Sequence, residues 1–193
     1  MTEPAFRSEP AMRRAGFTLI ELLIVVTLIA IVAGYAIPKV DFIRYRSDAA
    51  ARGVISQLQK SQRLAITRQH DVLVSFQTSN ARYRVVEDAN NNGRRDTGER
   101  VSWNALQEQT LFGTPETPIA FRGGAVVGRD VRSIDGMPTI IFRRDGSASG
   151  DTEIYLTSPR GRATDFRAIV LTEATGRAEW MRYNGTAWTR GGI

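Results

Sequence analysis

Arg13-Arg14-Ala15-Gly16-Phe17-Thr18-Leu19-Ile20-Glu21-Leu22-Leu23-Ile24-Val25-Val26 is the stretch from which the rest of this 193-residue chain is read. Two arginines and a glycine stand before an apolar run, Phe17 to Ile37, that carries a single charge, Glu21. As a helix that run is about 31 Å long at ~1.5 Å per residue, matching the ~30 Å hydrocarbon core of a bilayer. Pro38 and Lys39 close it. The pattern predicts a membrane-spanning helix, and Arg13 and Arg14 hold its N-terminal side in the cytoplasm by the positive-inside rule.

Glu21 is the anomaly. A carboxylate near the middle of a spanning helix costs ~2.5–3.5 kcal/mol on insertion scales, and less towards the interface. Its short stem reaches the headgroups poorly. A cut between Gly16 and Phe17 would place a new ammonium one helical turn away, awkwardly within one chain and well between neighbours. A buried carboxylate paired in that way selects the register in which helices pack. An ordinary secretory signal is the alternative; it is cut after its apolar core, and Ala33-Gly34-Tyr35-Ala36 offers such a site.

Gly16-Phe17-Thr18-Leu19-Ile20-Glu21 resembles the cleavage site of type IV pilins and pseudopilins almost letter for letter. The resemblance implies removal of Met1–Gly16 by a prepilin peptidase, N-methylation of Phe17, and assembly of the helices through Glu21 into a filament core. It implies the pilin fold and a place in the bacterial inner membrane, single-pass, with the C-terminal domain periplasmic. Other pilins or pseudopilins and an inner-membrane assembly platform are the partners it implies.

Beyond the run, the composition is that of a folded protein: 42% hydrophobic, 24% charged. With no cysteine, disulfides, thiolate metal sites and cysteine nucleophiles are excluded. A formal charge of +6 permits contact with nucleic acid or anionic lipid without requiring it. After Pro38, Ala51, Val54, Ile55, Leu58, Ala65 and Ile66 recur at helical spacing. Arg44, Arg46, Arg52, Lys60, Arg63 and Arg68 occupy the other side, with only Asp41 and Asp48 to balance them. One long helix from Phe17 to about Gln69 is expected, loosened near Pro38, with Gly53 a candidate bend.

From Asp71 the period becomes two. Val72, Val74 and Phe76, then Tyr83, Val85 and Val86 after Ser79-Asn80, predict a hairpin. Further strands are expected at Ile119–Phe121, Thr139–Arg143, Glu153–Thr157, Arg167–Thr172, Ala178–Tyr183 and Thr186–Trp188. Asp145-Gly146, Pro159-Arg160-Gly161, Thr175-Gly176 and Asn184-Gly185 separate them as turns. The fold class is therefore α+β, a long N-terminal helix packed on a C-terminal antiparallel sheet or sandwich. The expected organisation is a leader over residues 1–16, a spanning helix over 17–38, its amphipathic continuation over 39–70 and a globular β domain over 71–193. Thr139–Gly146 and Ile169–Arg177 resemble the C-terminal half of the H-type pseudopilins, the GspH/FimT-like group.

Asp88 to Glu99 fits the twelve-residue calcium-loop pattern at every specified position. Asp88, Asn90, Asn92 and Glu99 would supply side-chain oxygens, Arg94 a carbonyl, and Asp96 a water-mediated contact, with Gly93 allowing the turn. Extended flanks and three nearby arginines (Arg94, Arg95 and Arg100) weigh against it. The bland reading is a polar hairpin that binds nothing. No cofactor is required, and Ca2+ is the one ligand the sequence suggests.

Catalytic chemistry is not indicated, and no enzyme activity is expected. His70, the single histidine, stands at a helix end where capping suits it better than base chemistry. Arg160, Arg162, Arg177 and Arg190 are the candidate nucleic-acid contacts, since some FimT-like pilins take up DNA through C-terminal arginines. Interleaved acids favour exposed sheet arginines instead. The reading is a minor pseudopilin of a type II secretion pseudopilus. A minor FimT-like type IV pilin, acting in pilus biogenesis or DNA uptake, is the alternative. A periplasmic binding module that keeps its leader and never polymerises is a third.

Overall fold

A computed structural model describes residues 16–36, 42–107, 109–115 and 125–191. The expected leader up to Ala15, the closing Pro38-Lys39 pair, Asp41 and the expected strand Ile119–Phe121 lie outside the described residues. The chain divides into two compact units, Met1–Asp41 and Phe42–Ile193.

The first unit holds α1, Leu19–Ala36. Thr18 begins it: its Oγ1 accepts the Glu21 N–H at 3.2 Å, the first-turn cap that threonine supplies. Glu21, in the same turn, suits the positive end of the helix dipole. Thr27 satisfies its hydroxyl within the helix, donating to the carbonyls of Leu23 and Ile24. No helix among the described residues is long and apolar enough to cross a membrane. The 18 residues of α1 give about 27 Å at ~1.5 Å per residue, short of the ~30 Å core. The expected span runs on past Ala36 into residues that are not described.

The second unit begins with α2, Phe42–Arg68. Its buried residues are mostly small, Ser47, Ala50, Ala51, Val54, Ser61 and Ala65, with Leu58 the one large side chain among them. That narrow stripe lets two sheets approach the helix closely. Ile66, expected in the stripe, is 44% exposed, and Gly53 lies inside α2 without ending it. Asp48, expected to balance the helix arginines, instead reaches Arg167. The helix ends at Gln69, whose φ of 58° is left-handed and whose side chain donates to the Ile66 carbonyl at 2.7 Å. His70 therefore does not cap it. Its Nε2 lies 3.5 Å from Glu87 Oε2.

Eleven strands follow among the described residues: β1 (Asp71–Gln77), β2 (Arg82–Asp88), β3 (Arg100–Ala105), β4 (Leu111–Phe112), β5 (Val126–Gly128), β6 (Arg132–Ile134), β7 (Met137–Phe142), β8 (Thr152–Thr157), β9 (Arg167–Leu171), β10 (Ala178–Tyr183) and β11 (Trp188–Arg190). They make two antiparallel sheets, ordered β3-β2-β1-β7-β6 and β11-β10-β9-β8-β4, with β5 also on β8. The expected hairpin is β1–β2, with Val74 opposite Val85. One core joins Val54 and Leu58 of α2 to Val72, Val74, Phe76 and Ile140 of the first sheet and Ile154, Leu156, Ile169 and Trp180 of the second. Leu73, Val86 and Ile141 form a smaller cluster on the first sheet's outer face. The final strand lies two residues later than expected, at Trp188–Arg190, because Asn184 Oδ1 takes the N–H groups of both Thr186 and Ala187 into its turn.

Candidate functional site

Three places carry the residues singled out in the sequence. The first is the surface of α1. Phe17 is 85% exposed and Leu19 82%, and Leu22, Ile29, Ile31 and Val32 are exposed as well. A helix apolar on all sides is stable only when lipid or other helices cover it. Gly16, Phe17 and Glu21 lie at its beginning, all exposed.

The second is the loop after β2. Asp88 is fully buried, and its carboxylate accepts the N–H groups of Asn92 at 3.1 Å and Gly93 at 2.7 Å. Asn90 and Asn92 accept the amides of Asn92 and Arg94, two consecutive side-chain turns. Both asparagines also donate to Asp96 Oδ2, which brings positions 90, 92 and 96 to one point. Those hydrogen bonds hold the Asp96 carboxyl below its usual range. Glu99 Oε2 accepts the Asp96 N–H at 2.9 Å, while its Oε1 is buried without a hydrogen-bond partner among the described residues. Among the described residues, no group of three or more His, Cys, Asp or Glu is placed to hold a metal ion.

This loop also has a structural role that the sequence did not suggest. Asn91 Oδ1 accepts the Asp71 N–H at 2.7 Å, and Arg95 Nε donates to Asp135 Oδ2 at 2.8 Å. Asp135 receives the buried Arg84 through the same oxygen. The hydrogen bond from Arg95, then that from Arg84, lowers the Asp135 pKa. The loop is thus clipped beside Ile141 on the outer face of the first sheet.

The third is the set of C-terminal arginines. Arg160 forks onto the fully buried Asp165, at 2.7 and 2.6 Å, and Ser158 donates to the same carboxylate. Burial raises the Asp165 pKa, but Arg160 and Ser158 outweigh it and the net shift is downward. Arg160 is therefore committed to the fold. Arg177 and Arg190 come together, both paired with Glu179. Arg162 is exposed, before the 3-10 turn Ala163–Asp165. The four do not form one patch. Of the tryptophans, Trp180 is core, Trp188 lies tilted against the rings of Tyr155 and Tyr183, and Trp103 stands 45% exposed on β3.

Comparison with known proteins gives two family matches. The prokaryotic N-terminal methylation motif matches residues 11–37. The type II transport protein GspH family matches residues 50–176, about two thirds of the chain. This chain belongs to the GspH family. Among curated proteins, a pilin-like protein PilA1 of Thermus thermophilus is 36% identical over 89 residues, covering 46% of this chain. The match spans 57% of that relative's length. Among solved structures, the minor pseudopilin EpsH of the Vibrio cholerae type 2 secretion system overlays with a TM-score of 0.46 at 10% identity, covering 77% of this chain and 99% of that one. The type IV minor pilin FimU of Pseudomonas aeruginosa gives 0.47 at 10% identity, covering 76% and 94%.

The GspH match ends at Gly176, where the two sheets meet the helix. Gln62 of α2 donates from one amide to the carbonyls of Gly146 and Thr175, both at 2.7 Å. A Cβ on Gly176 would lie 2.3 Å from the Gly146 oxygen. The turns Asp145-Gly146 and Thr175-Gly176, 30 residues apart in sequence, are thus one structural joint. Nothing in the sequence alone pairs them. A chain of this family, with this N-terminal motif, is a pilin-like or pseudopilin-like subunit.

Proposed function

We propose that this subunit serves a type II secretion pseudopilus, entering it after a prepilin peptidase cuts between Gly16 and Phe17. The observation that carries the proposal is α1, a helix exposing apolar side chains all round beneath an N-terminal methylation motif. In this reading residues 17–38 anchor the chain in the inner membrane with the N-terminus cytoplasmic. The body then lies in the periplasm, and an inner-membrane platform extracts the subunit into the filament. Glu21 pairs with the freed Phe17 amine of a neighbour.

Thr18 capping supplies the test of Glu21. Glutamine occupies the third position of a capped first turn as well as glutamate does, so Glu21→Gln removes the charge and keeps the helix start. Incorporation into sheared filaments should fall about tenfold or more, equivalent to ~1.4 kcal/mol or more, with the soluble body still folded. Unchanged incorporation would contradict the pairing. A minor type IV pilin is the second reading, supported by the pilin-like relative from Thermus. Deletion of the gene separates the two, since the first predicts lost secretion and the second lost pili.

Calcium in the Asp88–Glu99 loop is a separate proposal. It is supported by the convergence of Asn90, Asn92 and Asp96 and by the unpartnered Glu99 Oε1. It predicts weak binding, on the order of 0.1–1 mM, and a melting temperature raised by millimolar Ca2+ in the protein but not in an Asp96→Ala variant. Equal melting with Ca2+ and with chelator would overturn it.

A further inference from the structure

The sheet edges are unequal. Among the described residues β4, β5, β6 and β11 are two or three residues long, the short edges by which sheet proteins avoid pairing with one another. β3 has six residues, no proline, and nothing described on its outer edge. Its register against β2 fixes which way each side chain points. Ser102 lies opposite Val85 and Asn104 opposite Tyr83, both on the core face. Val101 lies opposite Val86 and Trp103 opposite Arg84, on the outer face. Val101 is 39% and Trp103 45% exposed. Arg82 sits 4.5 Å above the Trp103 ring, holding the indole in place. On the core side, Gln57, Lys60 and Leu64 of α2 line a groove of about 380 Å3 along the same edge.

We propose that β3 pairs antiparallel with β3 of a second copy about a two-fold axis through Ser102. The argument is the strand's own complementarity. Paired strands keep like faces together only in registers that shift by two. Centred on Ser102, each Val101 meets the second copy's Trp103, giving two aromatic–β-branched pairs, the stabilising kind. Arg100 meets Asn104 of the second copy, so no like charges oppose. Centring on Trp103 would leave Val101 against alanine, and centring on Val101 would set Trp103 against Glu99. Each core-side groove remains open to the other copy's Ser102 and Asn104 side chains. A two-fold pair closes on itself, and the pairing does not rest on the filament reading.

The absence of cysteine makes the test specific. Directly opposed antiparallel residues have Cα atoms ~4.5–5.5 Å apart, within disulfide range. In the full-length protein in detergent, Ser102→Cys under mild oxidation should form disulfide-linked dimer about tenfold faster than Ser133→Cys on the short edge strand β6. Adding Val101→Lys or, separately, Trp103→Lys should remove that advantage without lowering the melting temperature enough to signal unfolding. Equal rates for Ser102→Cys and Ser133→Cys overturn the proposal. So does a dimer insensitive to both lysine variants while either remains folded, and so does cross-linking of Ser102→Cys to a different protein instead of itself.

Discussion

Gly176→Ala is expected to destabilise the protein by about 3–4 kcal/mol, the upper range for single substitutions. Gly176 has a φ of 59°, and its absent Cβ would sit 2.3 Å from the Gly146 carbonyl oxygen and 2.5 Å from Gln62 Nε2. Left-handed backbone alone costs an alanine ~1–2 kcal/mol. The rest comes from driving apart a joint whose carbonyls are held by Gln62. For a body of this size ~3 kcal/mol lowers the melting temperature by about 10 °C. Gly161→Ala is the control. Gly161 has almost the same φ, 60°, with none of the described residues within 4 Å of the added carbon, so only the backbone cost of ~1–2 kcal/mol applies. Equal losses at the two positions would show that the close approach contributes nothing.

Asp48→Asn is expected to cost about 3 kcal/mol, measured by urea unfolding. Arg167 is 1% exposed, and its Nε donates to Asp48 while its other nitrogens donate to the carbonyls of Thr164, Phe166 and Arg44. Those carbonyls solvate the guanidinium but do not neutralise it. Removing one partner of a buried pair leaves an uncompensated charge, typically ~3–5 kcal/mol, whereas replacing both by apolar groups is often neutral. Asp48→Leu with Arg167→Met should therefore recover most of the loss. A double variant as unstable as the single would place the cost in lost contacts rather than in charge.

These two clusters mark where the sequence stopped being informative. α1, α2 and the β1–β2 hairpin could be read from it because their signals are local: an apolar run, a helical period, an alternating one. So could the turns at Gly146 and Gly176, but not their meeting, since Gln62 joins positions 84 and 113 residues away. Arg167 and Asp48 are separated by 119 residues. β4, β5 and β6 are too short to show a period, and exist because β7 and β8 offer them an edge. His70 was assigned to the cap by charge alone; the left-handed Gln69 one residue earlier took that place. Arg160, grouped with the exposed arginines, turned out to answer the buried Asp165. At α1 the sequence predicts an apolar helix from Phe17, and the structure shows one from Leu19, capped by Thr18, with Glu21 in its first turn.

The central claim is that the chain is cut and joins its neighbours by its first helix, and the N-terminus of the membrane-extracted protein tests it most directly. Intact-mass and N-terminal analysis should find Phe17 first, carrying one methyl group on its amine, with Met1–Gly16 gone. A mature chain that still begins at Met1, or one that begins after Ala36, would contradict the account.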